Sequence, residues 1–366
     1  MGTLRLLLAL SVLASHVGAI YGLNMVGGAI AVQAFFIISG FYMSLILNEK
    51  YVGVNNSFKL FISNRFLRLY PIYGVVLVAT ILTCVLIKYT NESNGIPIIQ
   101  NYTEIKPNLS AMLYLIFTNV CIYGQDVVMF LGIDTVTGHL FFTDNFWNTS
   151  PPLYSFLFVP QGWSLALELT FYFIAPYVVR RSIPTIILLI LGTLLLRYYI
   201  YSCLGLTNDP WTYRFFPTEM LFFLLGSISY HIYLFLKPRY IPRRTSMMML
   251  FLVLNFTLLF PLLPTSSNVF AHFCAKDLMY FLIIVVAIPI LFIYFKNDTL
   301  DNLIGELSYP VYIVHLLVAR IVGVLELSIF NNGLGIAIIT IIAAYFLNKF
   351  ITYPIERIRQ QRLNSS

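Results

Sequence analysis

Apolar residues come in runs of about 20 from one end of the chain to the other, and polar residues are confined to short stretches between them. Eleven such runs can be traced, at 4–22, 27–47, 70–89, 110–131, 162–180, 183–204, 215–236, 246–263, 277–295, 303–328 and 334–353. They are rich in Leu, Ile and Phe, and runs of about 20 residues are long enough for a helix to cross ~30 Å of hydrocarbon. Barrel strands would be about 10 residues long and would alternate polar with apolar positions, which these runs do not. The pattern predicts an all-α fold, a polytopic transmembrane helical bundle. No polar block between the runs is large enough for a soluble domain, so residues 1–366 are expected to form a single membrane-embedded domain.

The charges then set the topology, because Lys and Arg collect on the cytoplasmic side. Lys50, Lys59, Arg65 and Arg68 lie between the second and third runs, and Arg180 and Arg181 follow the fifth. Lys237, Arg239, Arg243 and Arg244 follow the seventh, and Arg357, Arg359 and Arg362 follow the last. With all four groups inside, the runs alternate and 205–214, 264–276 and 329–333 fall outside. The run 110–131 breaks the alternation, since a full crossing would place 132–161, which has no Lys or Arg, inside. The expectation is ten crossings, with 110–131 re-entrant or lying against the bundle and both termini cytoplasmic. An extra crossing hidden in 123–147 would balance the count equally well. Residues 57–69 mix basic and bulky apolar side chains and read as an interfacial helix. The N-terminus has the layout of a signal peptide, with Arg5, an apolar run and Val17-Gly18-Ala19. A second apolar run follows almost at once, which favours a retained first helix.

Composition sharpens this. The 366 residues are 59% hydrophobic and only 10% charged, with mean hydropathy +0.83. Soluble domains carry roughly 25% charged residues, so a water-soluble globule is excluded. The net charge of +7 bears on orientation rather than on nucleic acid, because the basic residues sit in short loops between apolar runs. Cys84, Cys121, Cys203 and Cys274 form no metal-type spacing and read as small core residues; no metal is expected.

Ionisable and polar residues inside such runs are costly, and they mark interior sites or paths. His16 lies eleven residues after Arg5, close to three helical turns, so the two share a face about 16 Å apart. A neutral imidazole there suits a general base, and a helix–helix hydrogen bond suits it as well. Arg65 and Arg68, followed by Tyr70-Pro71, put two guanidinium forks on one helix face. Such a pair fits phosphate oxygens, whether of a ligand or of lipid headgroups. Phe35, Phe36, Ser39 and Gly40 form a small-residue surface for close helix packing. Ser164 and Glu168, after Trp163, are i and i+4, and a carboxylate this far into a run needs a basic partner. Ser308, Tyr312 and His315 follow i, i+4 and i+7 and line one polar stripe. Glu168 and this stripe read equally as structural contacts. His139, His231 and His272 lie in a loop or near the ends of runs.

Taken together and in this order, these residues resemble the membrane acyltransferase-3 family, from Arg5 to about Glu356. That family has Arg or Lys, ten residues, then His, matched by Arg5 and His16. Its FFxxSGF is matched by Phe35, Phe36, Ser39, Gly40 and Phe41, and its RxxR by Arg65 and Arg68 before Tyr70 and Pro71. Trp163, Ser164, Leu165, Glu168, Phe171 and Tyr172 match W-S-L-x-x-E-x-x-F-Y. Ser308, Tyr309, Tyr312 and His315 match S-Y-x-x-Y-x-x-H. Ala31 and Gln33 stand where a glycine and an acidic residue are usual, and the ending is Glu356-Arg357-Ile358 rather than an acidic-basic-Pro triplet. With no hydrolase-like stretch in the sequence, the chain is expected to be similar to stand-alone members that acetylate O-antigen or other bacterial surface sugars.

The resemblance implies an O-acyltransferase of the bacterial inner membrane. It would take the acyl group of cytoplasmic acetyl-CoA to a hydroxyl of a surface or lipid-linked glycan. His16 would be general base or acyl relay, with Arg5 and Glu168 beside it as catalytic candidates. Arg65, Arg68 and Tyr70 would hold the donor. Trp163, Ser164, Ser308, Tyr312 and His315 would be acceptor-binding or supporting residues. A transporter or flippase is the rival reading of the same spans, although no internal repeat supports it.

Overall fold

The computed structural model describes residues 1–51, 57–90 and 97–364. In chain order the helices are α1 (Gly2–Val17), α2 (Gly28–Glu49), α3 (Ser57–Thr90), α4 (Pro97–Glu104) and α5 (Leu109–Cys121). A short antiparallel hairpin follows, β1 (Leu131–Ile133) with β2 (Leu140–Phe142). Next come α6 (Trp163–Val178), α7 (Ile183–Tyr198), α8 (Phe216–Leu236), α9 (Arg243–Leu259) and α10 (Ala275–Phe295). The last four are α11 (Thr299–Glu306), α12 (Ser308–Val324), α13 (Gly333–Leu347) and α14 (Tyr353–Asn364). Eight helical stretches are long and apolar enough to cross a membrane, α11 and α12 counting as one and α13 and α14 as another. With α1 and α6, which pack among them, the bundle has ten.

The centre of the bundle is α2, with 83% of its apolar window buried, against 17% for the rim stretch that contains α7. Helix α2 runs parallel to α8, in a ladder from Gln33–Glu219 through Ser44–Ser227 to Glu49–Lys237. Two glycines allow the close approach. A Cβ on Gly40 would lie 2.0 Å from Phe223 O, and one on Gly226 would lie 2.1 Å from Ile37 O. Small residues at a contact let helix backbones meet where lipid supplies no hydrophobic drive between helices.

Both termini lie at one end of the bundle, the end that holds the basic groups. The Met1 amine pairs with Asp301, and Arg362 reaches Asn64 Oδ1 and Ser63 Oγ. The segment 57–69 is not a separate interfacial helix. It is the first part of the 34-residue α3, which continues through Pro71. Its Phe61, Asn64 and Arg65 are buried, because α14 covers this part of α3.

The run 110–131 is re-entrant. Helix α5 starts where Asn108 Oδ1 caps Ala111 N and descends to Cys121, whose carbonyl accepts from Tyr70. The chain then returns, and Asn108 N bonds Gly138 O at 3.0 Å. It descends again into the bundle, with Leu157, Val159 and Gln161 buried. Irregular backbone at membrane depth is tolerated where protein covers it or it lines a cavity.

Two helices end short of the full thickness. α1 and α6 have 16 residues each, about 24 Å at 1.5 Å per residue, against ~30 Å of hydrocarbon. Gly18, at φ 106°, ends α1 two residues after His16. α6 begins at the level of Tyr312, because Gln161 Nε2 donates to Ile313 O at 2.7 Å. The C-terminus of α1 and the N-terminus of α6 therefore both stop beside the middle of α12. Between them they leave a recess on the side away from the basic end.

Candidate active site

A cavity of about 100 Å³ opens among α1, α2, α3, α6 and α12. Arg5, Arg65 and Arg68 lie on its wall, and Glu168 is the carboxylate among its lining residues. None of the three arginines makes an ion pair or side-chain hydrogen bond with a described residue, and Arg65 is only 5% exposed. Glu168 accepts from Tyr172 Oη at 2.6 Å and from Ser39, and it feels the charges of Arg68 and Arg5. Glu306 lies within reach of Arg5 and Arg68 as well, but neither carboxylate pairs directly with a guanidinium, whose donors are left free at this end.

Ser164 and Tyr312 line the same cavity. Tyr312 Oη donates to Gln161 O at 2.9 Å. Ser164 Oγ also faces Gln161 O, at 3.4 Å, and the two hydroxyls meet each other at 2.6 Å. Phe35 stands 6.4 Å from the Tyr312 ring, centroid to centroid. Beyond this wall the Tyr312 ring is 6.2 Å from the His315 ring, and His315 is 5.1 Å from that of His16.

Backbone carbonyls fix the tautomers of both histidines. A carbonyl oxygen only accepts, so His315 Nδ1 carries a hydrogen that it donates to Tyr312 O at 2.7 Å. His16 Nδ1 likewise donates to Val12 O at 2.9 Å. His315 Nε2 is then a lone pair facing His16 Nδ1 at 3.3 Å. The lone pair of neutral His16 is left on Nε2. His315 is fully buried, whereas His16 is exposed in the recess. The apolar run 4–22 puts His16 inside a helix, but α1 ends at Val17, too early to cover it.

The cavity gathers ten of the residues singled out in the sequence. They are Arg5, Phe35, Phe36, Ser39, Arg65, Arg68, Ser164, Glu168, Ser308 and Tyr312. His16 and His315 form the pair beyond the wall. Glu168 belongs to the arginine end and is not brought to His16. Tyr70 and Gly40 are absent from the lining: Tyr70 stacks on Phe66 and donates to Cys121 O, and Gly40 is spent on the α2–α8 contact. Trp163 carries the guanidinium of Arg214 on its ring, 4.2 Å from the centroid.

Three charged residues of this region were not singled out in the sequence. Arg197 and Glu219 form an ion pair, 2% and 0% exposed, that Gln33 joins. Their signal was plain enough, an arginine and a glutamate of opposite sign inside neighbouring apolar runs. Arg214 was signalled by its place, a basic residue in a loop that the charge pattern puts outside.

A helical bundle with an unpaired arginine cluster in its cavity and an imidazole pair at the opposite wall defines a class, the multi-pass membrane enzymes of group transfer. The chain belongs to the acyltransferase-3 family, whose acyltransferase domain matches residues 2–349. It is thus an acyltransferase and not the rival transporter. No curated protein and no solved structure matches it.

Proposed function

We propose that the protein moves an acetyl group from acetyl-CoA to a hydroxyl of a surface or lipid-linked glycan, across the inner membrane of a bacterium. The observation that carries this is the polarity of the cavity, with unpaired Arg5, Arg65 and Arg68 at one end and the His16–His315 pair beyond the other. The arginine end is the basic end of the bundle, hence cytoplasmic by charge bias. There the guanidinium groups hold the donor's phosphates, and Glu168 orients Arg5 and Arg68. The thin thioester arm extends towards Tyr312 and Ser164. The glycan assignment rests on the similarity to stand-alone members of the family.

His16 Nε2 takes the proton of the acceptor hydroxyl as that oxygen attacks the thioester carbonyl. An oxygen–carbon bond forms and the carbon–sulfur bond breaks. The proton passes from His16 to the departing thiolate, which leaves as the free thiol. His16 lies in the last turn of α1, where free carbonyls favour a positive ring. His315 fixes the ring so that Nε2 faces the acceptor. It is a positioning residue.

The test uses membranes holding equal amounts of wild type and His16→Gln, supplied with radiolabelled acetyl-CoA and the alkali-stripped surface polysaccharide of the producing cells. Label should enter the polysaccharide with wild type and not with the variant. Substantial transfer by His16→Gln would move the chemistry elsewhere. No transfer by wild type would remove the glycan reading.

A further inference from the structure

The recess beside His16 holds a second arginine site, on the side opposite the donor cluster. Arg214, in the loop before α8, is built in rather than free. Its Nε donates to both oxygens of Asp209, at 2.9 and 3.0 Å. Its guanidinium plane rests on Trp163, at 4.2 Å, and also meets Tyr213 at 5.2 Å. Trp163 and Tyr213 pack edge to face at 4.7 Å, so the platform is itself braced. The arginine side chain is 15% exposed and that of Asp209 22%.

This anchoring uses one nitrogen. Nη1 and Nη2 make no hydrogen bond with a described residue. Tyr213 Oη donates to Gly28 O at 3.5 Å, Gly28 packs against Ser15 next to His16, and Trp163 precedes the Ser164 that bonds Tyr312, so the fork lies on the side of the base and of the end of the donor cavity. A guanidinium fork only donates, and its two outer nitrogens suit a pair of oxygens on neighbouring atoms. Stacking on an indole and pairing with a carboxylate leave it little freedom, so it can bind without first being ordered.

We propose that Arg214 forms the acceptor subsite, its Nη1 and Nη2 donating to two neighbouring oxygens of the acceptor sugar so that the adjacent hydroxyl lies on His16 Nε2. The ligand class is a sugar ring with vicinal hydroxyls, or with a hydroxyl beside a ring carboxylate. This rests on the function proposed above, and it adds how the acceptor is recognised. The donor arginines act from the other end of the cavity and take no part in it.

The measurement is initial rate in membranes with matched protein amounts, varying acetyl-CoA and the stripped polysaccharide separately. Arg214→Gln should raise the KM for polysaccharide about tenfold or more, as expected for losing charge-assisted hydrogen bonds. The KM for acetyl-CoA should stay within about twofold. Arg214→Lys keeps the charge but loses the fork, and it should show the same split; it decides the matter if Arg214→Gln does not accumulate. An unchanged polysaccharide KM in the accumulated variant would overturn the subsite. So would a rise in the acetyl-CoA KM, or a fall in kcat alone. Wild type failing to transfer would bring down the function together with this subsite, an outcome distinct from failure in the variants only.

Discussion

The arginines at the donor end differ in kind from the arginine in the recess, although all are guanidinium groups. Arg65 and Arg68 make no ion pair or side-chain hydrogen bond with a described residue, although Glu168 and Glu306 lie within electrostatic reach of Arg68, so their forks are free for a ligand. Replacing one with lysine leaves a point charge where a planar fork was needed. Arg68→Lys should therefore raise the KM for acetyl-CoA by about tenfold, and Arg65→Ala by more, with protein level unchanged. Equal donor affinity in Arg65→Ala and Arg68→Ala would instead assign both to lipid headgroups. His315→Ala should lower kcat without moving either KM, and less than His16→Gln does, because His315 acts through the ring of its neighbour. At this scale the sequence was informative wherever a charged or polar residue interrupted an apolar run at helical spacing, as with Arg5, His16, Glu168 and the 308–315 stripe. It marked Arg214 only by its place in an outside loop, because an arginine in a polar loop looks solvated until Trp163, some fifty residues earlier, is seen beneath it.

Helix ends and helix contacts decide where these groups meet. The α2–α8 seam rests on two glycines, whereas Gly192 of α7 has nothing within 4 Å of the place a Cβ would take. The same change should therefore have opposite consequences. Gly226→Ala forces a methyl to 2.1 Å from Ile37 O, which separates the helices and should cost about 1–3 kcal/mol or more. Gly192→Ala should be neutral or stabilising by roughly 0.5–1 kcal/mol, since glycine weakens a helix interior. Thermal unfolding in detergent, read by loss of soluble monomer, distinguishes them, and equal midpoints would contradict the seam. Helix existence was readable from apolar runs, and the Ser39–Gly40 contact from its small residues. Helix ends were not. The apolar run 4–22 includes Gly18, and hydropathy does not register that the backbone there turns to a positive φ. The run 57–69 looked interfacial because its charges were read without α14, which covers them.

At the scale of the bundle, the alternation of basic loops led to ten crossings with the fourth run, 110–131, re-entrant or lying against the bundle, and the structure has ten helical stretches among the described residues with that run folded back on itself. Which side each end faces is a separate expectation. Single cysteines at Gln100 and Leu300, both exposed, should differ towards an impermeant thiol reagent added outside intact cells. Position 100 should be labelled and position 300 protected. Labelling of both, or of 300 alone, would invert or break the proposed orientation. What no hydropathy profile contains is the recess, because it arises from two helices that stop early rather than from any polar segment.

The wall of Phe35, Tyr312 and Ser164 between cavity and recess has a consequence for the flow of matter. Under the proposed reaction neither the nucleotide carrier nor the sugar polymer ever changes compartment. Each turnover exports one acetyl unit and imports one hydrogen, and the two exchange as neutral groups. The catalyst thereby couples the two sides only through bonds being made and broken. Such an exchange does no electrical work, so its equilibrium is indifferent to the voltage across the membrane. Neither ester nor thioester titrates and no free proton is released or consumed, so the exchange runs as far as the thioester's own free energy carries it.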